Sequence, residues 1–223
     1  MPPPKGTPNV LEGPGDYEAT SVTHNDTYLL AKDVEAAAVS AARSAFKMLL
    51  LKLDVTNEQS VEKAAAEVEE EFGKLDVLVN NAGILGQFGM IADSKPEKWW
   101  QVLDVNVRGA YLVTRAFIPL LLKGTDDKFI INVASVGAHL VNPALSAYEV
   151  SKVALLRLTQ LVNAEYSPQG VVSRCIHPGN CLTDTMGPPE ELSDHLKPII
   201  IETPELSADS IISHIGKARL AWR

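Results

Sequence analysis

Tyr148 stands one helical turn before Lys152 in the run Tyr148-Glu149-Val150-Ser151-Lys152, with Ser135 upstream and Asn80-Asn81-Ala82-Gly83 earlier still. On a helix, positions i and i+4 share a face, so the phenol and the ammonium point at the same spot. A free phenol titrates near pH ~10, too high for ready proton exchange at neutral pH, and an adjacent ammonium favours the phenolate and lowers that value. A Ser hydroxyl from a neighbouring strand end then holds a carbonyl or alcohol oxygen while the phenol gives or takes its proton. A Tyr and Lys at this spacing carry little weight alone; the combination carries it.

Such residues need elements to bring them together, and the hydrophobic periodicity supplies these. Residues 1–26, rich in Pro, Gly and polar residues, read as a loosely ordered tail. A domain spanning 27–223 follows. Thr27–Ala31 predicts a strand and Asp33–Phe46 an Ala-rich helix. The apolar run Met48–Val55, broken by Lys52, predicts a parallel strand covered on both faces, and Ser60–Phe72 an amphipathic helix. Next come a strand at 75–79, a helix at 97–122, a strand at 129–133, a helix at 145–166 and a strand at 171–176. Strands alternating with helices mean a single α/β domain, a doubly wound parallel sheet of the Rossmann-like kind. Ligands in such sheets bind outside the carboxyl ends of the strands. Asp54, Asn80 to Gly83, Ser135 and Pro178-Gly179 all fall at such ends.

Composition narrows the partners. With 223 residues, 46% apolar and 22% charged, the chain suits one globular domain. A net charge of −8 without a basic cluster argues against nucleic acid or an anionic membrane. Cys175 and Cys181 have neither C-x-x-C spacing nor clustered His, so they read as structural thiols, and no metal site is expected. No apolar run approaches the ~18 residues of a membrane span, and a cytoplasmic location is the default.

The chain resembles the short-chain dehydrogenase/reductase family of nicotinamide-dependent oxidoreductases. The matching segments are Leu53-Asp54-Val55, Leu75 to Val79 into Asn80-Asn81-Ala82-Gly83, Asn106-Val107 after an aromatic pair, Ile131 to Ser135, Tyr148 with Lys152, and His177-Pro178-Gly179. The resemblance implies that Tyr148 is the proton donor and Ser135 binds the substrate oxygen. It further implies that Lys152 holds the nicotinamide ribose, and that Asn106 kinks its helix and holds a water relaying protons to the Lys. It implies cofactor contacts from Asp54, Asn81, Arg115, Cys181 and Thr183, in addition to Tyr148 and Lys152. Lys32, just past the second strand, favours the 2′-phosphate of NADP, with NAD the alternative. Ser151 is expected to pack against the sheet. The helices at 97–122 and 145–166 are expected to pair with another subunit, giving a homo-oligomer.

Two departures stand out. The family's Thr-Gly-x3-Gly-x-Gly turn, whose amides cradle the pyrophosphate, has no counterpart; Gly13-Pro14-Gly15 reads as a plain turn. A final strand after the helix expected at 204–218 is also not evident. The expectation is therefore a sheet whose first and last strands are missing or replaced. Three functions follow. The leading one is an NADP-dependent enzyme interconverting a ketone and a secondary alcohol on a modest-sized hydrophobic small molecule, as in secondary metabolism. The others are a degenerate, non-catalytic relative acting through oligomer or partner contacts, and a dehydratase or isomerase using the same Tyr.

Overall fold

The computed structural model of the chain describes residues 49–124, 128–181, 202–203, 206–208 and 211. The expected tail, the strand at 27–31, the helix at 33–46, Lys32 and Thr183 lie outside the described residues, as do the places where a first and a last strand would stand.

Helix α1, Glu58–Phe72, starts where Asn57 accepts a hydrogen bond from the Ser60 amide and ends at Gly73, whose φ of 73° the missing side chain makes cheap. Strand β1, Val77–Asn80, follows. Helix α2, Pro96–Leu103, opens on a proline whose missing N–H has no helical partner to lose. It runs through one widened π turn, Asp104–Gly109, into α3, Ala110–Leu122. Then come β2, Lys128–Val133, α4, Ser146–Tyr166, and β3, Val171–Ile176. The three strands are parallel in the order β1-β2-β3, with Asn80 beside Asn132 and Asn132 beside Cys175.

The central strand β2 is buried from Phe129 onward, as a strand covered on both faces must be. The core gathers Leu53, Val61, Leu78, Phe117, Leu121 and Ile130. A buried polar row crosses it. Asn80 Nδ2 donates to Thr114 Oγ1 (2.9 Å) on α3 and to Asn132 Oδ1 (2.7 Å), while Asn132 Nδ2 donates to Thr159 Oγ1 (2.9 Å) on α4. Satisfied in this way, the amides fix how both helices seat on the sheet.

Three expectations are corrected. Residues 49–54 form no strand: nothing among the described residues offers them a ladder, although Leu53 is fully buried. The helix expected at 97–122 is interrupted by the π turn. The run Pro96–Leu122 is also long and apolar enough to cross a bilayer, contrary to the reading of the sequence, but 61% of its 18-residue apolar window is buried inside the fold, as befits a core helix.

Candidate functional site

The carboxyl ends of β1 and β2 meet the π turn and the first turns of α4. Lys152 is 5% exposed and donates from Nζ to the Val133 carbonyl (3.0 Å) at the end of β2. Its Nζ lies 5.4 Å from the centroid of the Tyr148 ring. Ser135 follows β2, and its Oγ accepts from the Gly137 amide (3.1 Å), capping a short turn, Val136–Ala138. The same hydroxyl stands near enough to the Tyr148 phenol to favour its ionised form.

Asn106 explains the π turn. Its Oδ1 accepts from the Ile84 amide (2.8 Å), and its Nδ2 donates to the Ile84 carbonyl (2.9 Å) and to Ser151 Oγ (2.9 Å). One inserted residue turns Asn106 inward, and the loop after β1 is stapled to the helix by its amide. Gly83 lies between them. A Cβ there would come 3.3 Å from Asn106 Oδ1 and 3.5 Å from Lys152 Nζ, so any larger residue would press on the amide that joins loop and π turn. Ser151, expected against the sheet, instead donates to the Tyr148 carbonyl (2.6 Å) and accepts from Asn106; a polar side chain at zero exposure takes polar partners.

The electrostatics differ from the sequence expectation. Burial raises the Tyr148 pKa above its ordinary value of 10, and the Ser135 hydroxyl is what opposes that rise. Burial lowers Lys152 to about 8, with Cys175 opposing the fall. The lysine is thus itself hard to keep charged.

The other sequence candidates are more dispersed. Asn81 and Val55 line a shallow, open hollow with a cavity volume of only about 10 Å³, together with Leu53, Ala82, Gly109 and Val113. Asp54, beside that hollow, accepts from the Thr56 amide (2.9 Å) and hydroxyl (2.7 Å) through Oδ1. Arg115 is placed at a half-exposed position between α1 and α3, paired with Glu58 (2.8 Å) and Glu62 (3.6 Å). Cys181 Sγ lies 2.9 Å from Ser207 Oγ, and its backbone bridges Glu202. Glu202 was not anticipated. Its carboxylate accepts from the Asn180 amide (2.9 Å) and overlies the loop after β3. Nothing in the pattern around Glu202 marks it, because the contact is made across residues distant in sequence.

The site fits a nicotinamide nucleotide in two respects. Lys152 is a buried ammonium with three N–H groups and one acceptor among the described residues. The hollow at the strand ends is mostly apolar, lined by Leu53, Val55, Ala82 and Val113, as suits one face of a flat heteroaromatic ring.

A parallel sheet with a Ser, Tyr and Lys converging at its carboxyl edge defines a nucleotide-binding α/β oxidoreductase. The chain belongs to the short chain dehydrogenase family, whose model it matches over residues 22–192. It is 49% identical to the short chain dehydrogenase pigC of Monascus ruber, over 95% of this chain and 86% of that one. It is 50% identical to tazN of Aspergillus terreus, over 98% of this chain but 58% of that one. The pigC alignment runs over 261 positions, more than the 223 residues here, so that relative carries internal residues without a counterpart. Among solved structures, the NADPH-bound carbonyl reductase from chicken fatty liver superposes with a TM-score of 0.67 at 26% identity, over 82% of this chain and 74% of that one.

Proposed function

We propose that the chain is an NADP-dependent oxidoreductase that interconverts a ketone and a secondary alcohol on a modest-sized hydrophobic small molecule, and that it works in the cytosol as a homo-oligomer. The observation that carries this reading is the convergence of Ser135, Tyr148 and Lys152 at the end of β2. Lys152, with unused N–H groups, holds a ribose, and Asn81 and Asp54 line the adenosine side. Cys181 and Thr183 serve the nicotinamide side and Lys32 the 2′-phosphate. Arg115, ion-paired as it is, would have to leave Glu58 and Glu62 to reach a ligand. When bound, the nicotinamide supplies or accepts the hydride.

In the reductive direction the Ser135 hydroxyl donates to the carbonyl oxygen and orients it. The Tyr148 phenol, kept protonated by burial, delivers its proton to that oxygen as charge develops there. Lys152 stands behind the phenol and stabilises the phenolate left behind. Asn106, through its hold on Ile84 and Ser151, keeps the π turn open toward Lys152 for a proton-relaying water.

The test is NADPH oxidation with cyclohexanone and 2-decalone as ketone probes, in the parent and in Tyr148→Phe. Turnover lost in the variant supports the reading, and equal turnover overturns it. One rival has an observation of its own: the sequence carries no Thr-Gly-x3-Gly-x-Gly turn, which favours a non-catalytic family member. Absence of NADPH binding by fluorescence titration would select that rival.

A further inference from the structure

Glu149, the residue after Tyr148, is 8% exposed although it carries a carboxylate in the first turn of α4. Among the described residues no Lys or Arg lies within ion-pairing distance of it. Both its oxygens accept from the Asn142 amide (3.1 Å each), and Oε1 also accepts from Asn142 Nδ2 (2.7 Å). Burying a carboxylate is costly, and a surface loop can be anchored more cheaply by an apolar side chain, so this position has a use that charge-assisted bonds serve.

Asn142 lies in the segment 136–145, which leaves Ser135 and returns to Tyr148. Gly137 sits where a Cβ would be 3.5 Å from each of Ser135 Oγ, Tyr148 Cε1 and Glu149 Cγ, so the segment passes directly over the reacting pair. At its far end the Ala144 carbonyl accepts from the Gly89 amide (3.1 Å), joining it to the loop after β1. Between these ties it presents Leu140 and Val141 to solvent, Val141 being 94% exposed.

We propose that Glu149 is a positioning residue. Its carboxylate clamps Asn142 and so sets the distance and register of the segment 136–145 as a wall of the substrate site beside Tyr148, and through that wall it selects the size of apolar substrate admitted. This rests on the oxidoreductase reading of Ser135 and Tyr148. The donor set is specific: the Asn142 N–H is shared between both carboxylate oxygens while Nδ2 is held by Oε1, and a carboxamide offers only one of those two acceptor oxygens and no charge. Glu149→Gln turns an N–H toward one of those donors. Adding Asn142→Asp supplies an acceptor for that new N–H and restores the pair with its polarity reversed.

The experiment has two arms on the full chain. Amide hydrogen exchange compares the parent, Glu149→Gln, Asn142→Ala and the double variant Glu149→Gln with Asn142→Asp. The amide of residue 142 should exchange roughly tenfold or more faster in Glu149→Gln and return toward the parent in the double variant, with α4 unchanged. In the kinetic arm, KM for 2-decalone should rise by about tenfold in Glu149→Gln, more than KM for cyclohexanone, with recovery in the double variant. Unchanged exchange at residue 142, or equal losses on both ketones without recovery, overturns the proposal. The exchange arm needs no turnover. A parent that reduces neither ketone therefore defeats the oxidoreductase reading, and the clamp is then decided by exchange alone.

Discussion

At the scale of single residues, Tyr148→Phe keeps the ring and its packing but removes the hydroxyl proposed to deliver the proton. Turnover should fall by roughly 10²–10⁴-fold with little change in unfolding midpoint. A variant that keeps more than about a tenth of parent turnover would show that Tyr148 is not the acid. Ser135→Ala should cost roughly 10²-fold in kcat, comparable to losing one oxyanion donor. Lys152 makes a prediction about pH. Its folded pKa of about 8 lies below the ordinary 10.5, so between those values the unfolded chain holds the extra proton and stability rises with pH. Cys175, raised above its ordinary 9 by burial, opposes this from about pH 9, and Tyr148, raised above 10, does so at higher pH still. Urea denaturation from about pH 8 to 10 should therefore show a rising unfolding free energy in the parent and a flatter profile in Lys152→Met; identical slopes would mean that the ammonium is not the titrating group. The identity of these three residues and the helical spacing of Tyr148 and Lys152 could be read from the sequence. Their environment could not, because desolvation depends on what covers a side chain. The expected lowering of the phenol by the lysine therefore gave way to a rise caused by burial.

At the scale of elements, the asparagine in the middle of a helix marked something unusual at Asn106, and the resemblance implied a kink. The π turn that makes the kink has no propensity signature, since its cause is the capture of that amide by Ile84 across the cleft. Asn106→Ala would leave the half-buried Ile84 N–H and C=O without their partner, at up to about 1–3 kcal/mol for each group that water does not reach. Denaturant titration should register that loss, together with faster exchange of the Ile84 amide. Retention of parent stability would mean that the turn is held by packing alone. The apolar run at 48–55 misled for the opposite reason. It has the composition of a buried strand and is buried at Leu53 and Val55, but a strand exists only where a neighbour supplies the ladder, and none of the described residues supplies one here. Glu149 was invisible for a third reason: a glutamate in the first turn of a helix is the ordinary solvated case, and only the tertiary contact with Asn142 distinguishes it.

At the scale of the whole molecule, the alternation of strands and helices was enough to fix the class of fold, because a parallel sheet is the arrangement in which such elements bury one another. What covers the outer faces of the helices is a separate matter. Val150, Val153 and Leu161 recur at helical spacing on α4 and are 46%, 50% and 50% exposed, while Trp100 on α2 and Tyr111 on α3 are 62% and 49% exposed. The sheet takes the opposite faces, so this apolar surface gains nothing from the chain's own core, and a second copy presenting the same helices would cover it symmetrically. Light scattering at micromolar concentration should accordingly find an oligomer, with an unfolding midpoint that rises with protein concentration. Val153→Asp would place a carboxylate in the middle of that face. It should shift the particle to a monomer and abolish the concentration dependence while the spectrum of the folded domain persists. A monomeric parent, or an oligomer indifferent to the charge at position 153, would show that these faces do not pair.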